Sequence, residues 1–173
     1  KNLGFNEDFA FFKTHFNAKY KGKSFLIKKF IRGIIYIYRD PRDICLSWAR
    51  HASITNRESL NFLLDKNASI NWTDIENFAN YNENTPVYIS DWQNHFLSWT
   101  ENDLDCPFFL TSYESLVYDK KNTVLKLLDF FKHNYNIEFS NKNEKINNII
   151  ATTDFENLKK MEEDIGFKEA TNK

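Results

Sequence analysis

The sequence of 173 residues is poor in several residue types that often define a protein class. Its two cysteines, Cys45 and Cys106, form neither a C-x-x-C pair nor a cluster with histidine. We therefore expect no disulfide framework and no zinc site, interpret both as small core residues, and expect a reducing compartment, the cytoplasm. With four glycines and three prolines, the chain has no linker-like stretch and no internal repeat. We expect one domain over residues 1–173.

Excess charge and long apolar runs are also missing. The formal net charge is −1 and the isoelectric point is about 6.5, so there is no bulk attraction to nucleic acid or to an anionic membrane. No apolar run approaches the roughly 20 residues that span a bilayer. We expect a soluble protein with neither partner, in which any anion is held by a local site. The single methionine, Met161, cannot be an initiator, which predicts a fragment of a longer chain.

The most informative stretch is 33–50, which reads GIIYIYRDPRDICLSWAR. Residues 34–38 are short, apolar and rich in β-branched and aromatic side chains, which predicts a strand buried in a mostly parallel sheet. Asp40 is suited to cap the following helix and Pro41 to its first turn, because the missing N–H of proline has no partner there. Helical spacing places Ser47 on the same face as Asp40, two turns along.

An arginine at the end of the strand and a hydroxyl on the following helix indicate an anion site. The guanidinium of Arg39 can hold a phosphate through two parallel hydrogen bonds, each contributing about 1.5–3 kcal/mol. The alternative is that Arg39 pairs with Asp40 or Asp43 at the surface, while Ser47 is a small residue at a packing contact.

A known family carries the same pattern. R-D-P-R-D, with a serine eight residues after its first arginine, resembles the motif of sulfotransferases that use 3'-phosphoadenosine-5'-phosphosulfate (PAPS). The resemblance implies that Arg39 and Ser47 hold the 3'-phosphate of the nucleotide. Upstream, residues 9–13 predict a second buried strand. K-T-H at residues 13–15, which starts at the last residue of that strand, resembles a second motif of the family. This implies that His15 is the general base and that Lys13 contacts the sulfuryl group, although a lone histidine after a strand is often structural.

Two further segments follow in the family's order. S-Y-E, after a predicted strand at 106–111, resembles a segment whose tyrosine lies near the adenine, which implies this position for Tyr113. T-T-D-F resembles the family's T-S-F segment and implies adenine contacts for Thr153 and Phe155. The alternatives are a buried tyrosine bonded to nearby backbone and a phenylalanine that fills the core.

Periodicity predicts the remaining elements. Helices are expected at 41–51, 54–66, 87–102, 120–135 and 143–151, with another entered at Asp154, and 17–29 is interpreted as an exposed connection. The leucines at 60, 63 and 64 and the aromatic residues at 92, 96 and 99 are interpreted as core. His95 is given no catalytic role.

The resemblance implies an α/β fold, three-layered, with a mostly parallel sheet flanked by helices, of the P-loop-NTPase-like sulfotransferase type. The fold is expected to be incomplete at both ends, because the loop for the 5'-phosphosulfate and the Arg-Lys-Gly segment are absent from the sequence, and the fragment alone is expected to be inactive.

The implied reaction moves a sulfuryl group from PAPS to a hydroxyl or amine of a small-molecule acceptor, leaves adenosine 3',5'-bisphosphate (PAP), and needs no metal. The alternatives are a small-molecule kinase of related fold, with Arg39 on another phosphate, and a non-catalytic module that binds the bisphosphate or a protein partner.

Overall fold

The computed structural model describes residues 10–24, 26–70, 86–101 and 103–166. The strands are β1 Lys19–Tyr20, β2 Lys23–Ser24, β3 Ile34–Tyr38, β4 Ser69–Ile70, β5 Val87–Tyr88 and β6 Phe108–Ser112. The helices are α1 Pro41–His51, α2 Asn56–Leu64, α3 Trp92–Thr100, α4 Tyr113–Tyr118, α5 Lys120–Tyr135, α6 Lys142–Thr152 and α7 Phe155–Ile165. They form two compact units, one from the described residues of Lys1–Ile34 and Asp40–Cys106, the other from those of Ile35–Arg39 and Pro107–Lys173.

The fold is α/β, with a parallel sheet flanked by helices, which confirms the expected class. Strand β3 pairs with β6 in this sheet. Two short antiparallel pairs accompany it, β1 with β2 and β4 with β5. The turn between β1 and β2 has positive φ at both Lys21 and Gly22, as a two-residue hairpin of right-handed twist requires.

The first unit contains α1 and α2, which pack against each other. Helix α1 begins and ends as the sequence predicts, because Asp40 caps it and Pro41 occupies its first turn. Helix α2 begins with a reciprocal capping box, in which the side chains of Thr55 and Glu58 each bond the backbone of the other. Trp48 of α1 stacks on Phe62 of α2, with ring centroids 5.1 Å apart. Local end signals and one aromatic contact thus define this helix pair.

The second unit has its core between α5 and α6. Val124, Leu128 and Ile146 are buried there, with Phe139 packed against them. Helix α5 has the predicted bounds, and α6 exceeds its prediction by one residue at each end. The expected packing role of α5 is therefore confirmed.

Several predictions from apolar patterns are wrong. Residues 10–13 form no strand, and Phe12 is 88% exposed, because an apolar run becomes a strand only when a neighbouring strand completes its ladder. Strand β3 is buried at Ile34 but exposed at Ile35 and Ile37, so alternation governs it rather than burial on both faces.

Three further expectations, on the leucines of α2, on residues 17–29 and on the helix at 87–102, are wrong in part. Leu60 and Leu64 are exposed, because α2 packs on α1 through a face that includes the buried Ser59, whose hydroxyl donates to the Cys45 carbonyl. Residues 17–29 are not simply an exposed connection, since Asn17 and Ala18 are buried. The predicted helix at 87–102 begins only at Trp92, because β5 occupies its start and Asp91 caps the helix.

Candidate functional site

Arg39 and Tyr113 meet at the ends of the two paired strands. Arg39 directly follows β3, and Tyr113 directly follows β6. Because the carboxyl ends of parallel strands lie at one edge of a sheet, both side chains leave from the same edge. The guanidinium carbon of Arg39 lies 4.4 Å from the centroid of the Tyr113 ring, which is cation–π geometry. Sequence reasoning assigned these residues to different parts of a nucleotide, and the structure brings them into direct contact.

The position of Tyr113 is set by the start of α4. Ser112 caps this helix by accepting a hydrogen bond from the Ser115 backbone N–H at 3.1 Å. The two serine hydroxyls are also bonded to each other, at 2.8 Å. The cap holds the first residue of α4 beside the strand end. Tyr113 remains 38% exposed, so the alternative of a fully buried tyrosine does not hold.

The helix that carries Ser47 has a strongly bonded start. Asp40 accepts hydrogen bonds from the backbone N–H of Arg42 at 2.9 Å and from its guanidinium. The side-chain hydrogen bond from Arg42, followed by its backbone bond, lowers the pKa of Asp40 to about 2, so this carboxylate is charged at neutral pH. Ser47 lies two turns further along α1 and is exposed.

Lys13 and His15 lie in the irregular segment that precedes β1, and both side chains are exposed. The His15 carbonyl accepts a hydrogen bond from Nε2 of His95 on α3, at 3.3 Å. Burial lowers the pKa of His95, which favours its neutral form. Sequence reasoning gave His95 no catalytic role. The signal for its bond to the backbone was its helical spacing from Ser98 and Trp99, which puts the three side chains on one face of α3.

Thr153 and Phe155 flank the turn between α6 and α7. The Thr153 hydroxyl donates to the Ile149 carbonyl at 2.7 Å, and the Thr153 carbonyl accepts from Nζ of Lys120 at the start of α5. Asp154 caps α7, as its sequence predicted. Phe155 is 69% exposed, so it does not fill the core of the described structure. An exposed aromatic face after an anchored turn is available for stacking.

A cavity of about 250 Å³ opens beside the His15 segment. It is lined by Thr14, Phe16, Asn17, Ala18, Leu26 and Trp99. Ligand pockets usually measure about 300–1,000 Å³, so this one has room only for part of a small molecule.

Neither a metal-binding cluster nor a membrane-spanning helix occurs in the described residues, 10–24, 26–70, 86–101 and 103–166. In these ranges, no group of three or more His, Cys, Asp or Glu side chains could hold a metal ion. No helix of the same ranges has the length and apolarity needed to cross a bilayer.

In open α/β sheets ligands bind outside the carboxyl ends of the strands, which is where Arg39 and Tyr113 lie. Residues 3–165 match the sulfotransferase domain family, and the chain belongs to that family. This confirms the family and fold that the motifs predicted. An amine sulfotransferase of the rabbit, Oryctolagus cuniculus, is 27% identical over 126 residues, which cover 73% of this chain and 36% of that protein. The matched part thus spans about a third of this curated relative.

Proposed function

We propose that the protein containing this chain transfers a sulfuryl group from PAPS to a hydroxyl or amine of a small acceptor. The observation that carries the proposal is the contact between Arg39 and Tyr113 at the carboxyl edge of the sheet, in a chain of the sulfotransferase family. The name of the rabbit relative favours an amine as the acceptor group.

The proposed nucleotide site includes Arg39 and Tyr113 at the ends of β3 and β6, Ser47 on α1, and Thr153 and Phe155 where α7 begins. Arg39 binds the 3'-phosphate through two parallel charge-assisted hydrogen bonds, for which a planar guanidinium is suited and an ammonium is not. The Ser47 hydroxyl donates a third bond. Thr153 and Phe155 contact the adenine, where the exposed Phe155 ring offers a stacking face. These residues fit a nucleotide because they combine a cationic donor at Arg39 and a neutral hydroxyl donor at Ser47 with the accessible aromatic surface of Phe155.

His15 and Lys13 are proposed to serve the transfer itself. PAPS, when bound, supplies the sulfuryl group. An imidazole nitrogen of His15 accepts the proton that the acceptor hydroxyl or amine loses, which is the most common role of histidine in general acid–base catalysis. The ammonium of Lys13 stabilises negative charge near the moving group. Such proton transfer contributes about 10²- to 10⁴-fold to a rate.

The test compares two substitutions in the whole protein that carries this chain. His15→Ala should lower turnover by about 10²-fold or more while the affinity for PAP stays within about two-fold. Arg39→Lys should weaken PAP binding about tenfold or more, because it replaces a two-bond fork by a point charge. Turnover is measured by sulfate transfer to a phenol and to an amine, and affinity by calorimetry.

Arg42→Lys is the matched control for Arg39→Lys, since Arg42 belongs to the same R-D-P-R-D motif but bonds Asp40. It should leave PAP affinity nearly unchanged. Full turnover after loss of the His15 imidazole would refute the base assignment. Equal affinity losses in the two lysine variants would refute the phosphate role of Arg39.

A further inference from the structure

Helix α3 presents three polar side chains to the backbone that follows Thr14. They are spaced i, i+3 and i+4, so they lie on one face of the helix. Three hydrogen bonds join this face to backbone groups of residues 15, 16 and 18. His95 Nε2 donates to the His15 carbonyl at 3.3 Å, Trp99 Nε1 donates to the Phe16 carbonyl at 3.0 Å, and the Ala18 N–H donates to Ser98 Oγ at 3.0 Å. We call His95, Ser98 and Trp99 the α3 clamp.

The clamped segment is exposed at His15 and Phe16 but buried at Asn17 and Ala18, and two of the clamp side chains are buried as well. Trp99 is 8% exposed and Ser98 is 6% exposed. Asn17, within the clamped segment, is bonded to the backbone at the end of β5. Its backbone N–H donates to the Tyr88 carbonyl at 2.9 Å, and its side-chain amide donates to the Ile89 carbonyl at 3.2 Å. The bond from the Ala18 N–H to Ser98 is buried, so it is expensive to break, because a buried group left without a partner costs about 1–3 kcal/mol. The segment is therefore fixed on two sides.

The bond from His95 reaches the one carbonyl that belongs to His15 itself. It fixes the peptide plane next to the α-carbon that carries the imidazole, although that side chain remains exposed. A catalytic group displaced by about 1 Å can lose about 10²-fold in rate. A carbonyl oxygen only accepts, so Nε2 of His95 must carry a hydrogen. Burial keeps this histidine toward its neutral form, in which Nδ1 is then the unprotonated nitrogen.

We propose that His95 is a positioning residue that, with Ser98 and Trp99, fixes the backbone of His15 so that its imidazole faces the acceptor. This inference rests on the proposed function, because it needs His15 to be the base. The three clamp residues touch neither nucleotide nor acceptor in this proposal. They act only through the backbone that carries the base.

The first experiment changes His95 in the whole protein that carries this chain. His95→Leu removes the donor, and we expect it to lower kcat about 10²-fold, with KM and PAP affinity within about two-fold. His95→Gln keeps an N–H near the position of Nε2 and should restore kcat to within about tenfold of the original protein. His133→Leu, the same change on α5, should leave kcat unaltered and serves as the matched control.

The second experiment separates positioning from support of the fold. If His95 acts only through His15, then His95→Leu should cause no further loss of the residual turnover in a His15→Ala background. A residue that merely stabilises the fold would lower that residual turnover too. Trp99→Phe, which keeps the ring but removes the donor to Phe16, should also lower kcat with KM unchanged, and it tests the clamp if the His95 variants fail to fold.

The outcomes distinguish this inference from the proposed function. Loss of turnover in His15→Ala with normal kcat in His95→Leu would overturn the clamp and leave the base assignment standing. Normal turnover in His15→Ala would overturn the base and, with it, the positioning role. A further loss in the double variant, or no recovery in His95→Gln, would show that His95 supports the fold and would also overturn the clamp.

Discussion

Replacing Tyr113 by leucine should weaken the binding of PAP without abolishing it. Tyr113→Leu removes the aromatic face that lies 4.4 Å from the guanidinium carbon of Arg39, but it leaves the guanidinium and its hydrogen-bond donors in place. The ring holds the cation where the phosphate would meet it. The substitution therefore raises the cost of orienting Arg39 rather than removing a bond to the ligand.

The magnitude follows from the geometry. A cation over a tyrosine ring contributes about 0.5–1 kcal/mol at exposed sites and about 2 kcal/mol when desolvated. Because Tyr113 is 38% exposed, we expect the cation–π contact to contribute about 1 kcal/mol, and its loss to lower the affinity about fivefold. Loss of one hydrogen bond from Arg39 to the phosphate would cost about 1.5–3 kcal/mol, or more than tenfold. The two effects are thus separable by titration.

Calorimetric titration of the whole protein with PAP measures this difference. Tyr113→Phe keeps the ring over Arg39 and should bind within about twofold of the original affinity. Tyr118→Leu, at the other end of α4 on a side chain that is 86% exposed, is the matched control. An equal loss in Tyr113→Phe and Tyr113→Leu would refute the reasoning, because it would show that the hydroxyl, and not the ring, contributes to binding.

Two predictions concern stability. Ile146→Ala should lower the free energy of unfolding by about 2–5 kcal/mol in urea titrations, because Ile146 is 1% exposed, whereas Ile149→Ala on the same helix, at 36% exposure, should cost much less. Equal losses of stability in the two variants would show that Ile146 does not belong to the core of the second unit. Asp40→Asn keeps a good cap but loses the charge that Arg42 stabilises. Since folding lowers the pKa of Asp40 from 3.8 to about 2, its charge stabilises the fold above pH 3.8, and this contribution is lost as the pH falls to about 2. The difference in Tm between the two proteins should shrink over that pH range, and a constant difference would contradict the assignment.

Local signals predicted the part of the fold that carries the proposed anion site. Strand β3 and helix α1 have the predicted bounds because every cue there agrees: β-branched residues, a capping aspartate, and a proline in the first turn. Asp154 and α7 follow the same logic. Where such cues act within a few residues, the sequence alone is sufficient to predict where a helix or strand begins and ends.

Tertiary partners account for what pattern reasoning missed. The contact between Arg39 and Tyr113 joins residues 74 positions apart in the sequence, through strand pairing that no local pattern encodes. The bond from His95 to the His15 carbonyl joins residues 80 positions apart, and backbone acceptors leave no trace in side-chain patterns. The prediction that the leucines of α2 lie in the core was wrong for a related reason, because periodicity reveals an apolar helix face but not what packs against it.

Met161 offers a single spectroscopic probe of the exposed helix α7. It is the single methionine of the 173 residues, and its side chain is 53% exposed, in the same helix as the exposed Phe155 and Leu158. A sample of this chain with a ¹³C-labelled methionine methyl group would therefore give one NMR signal. Its chemical shift would register any surface that comes to cover this helix, and oxidation of the sulfur would turn the same position into a polar one.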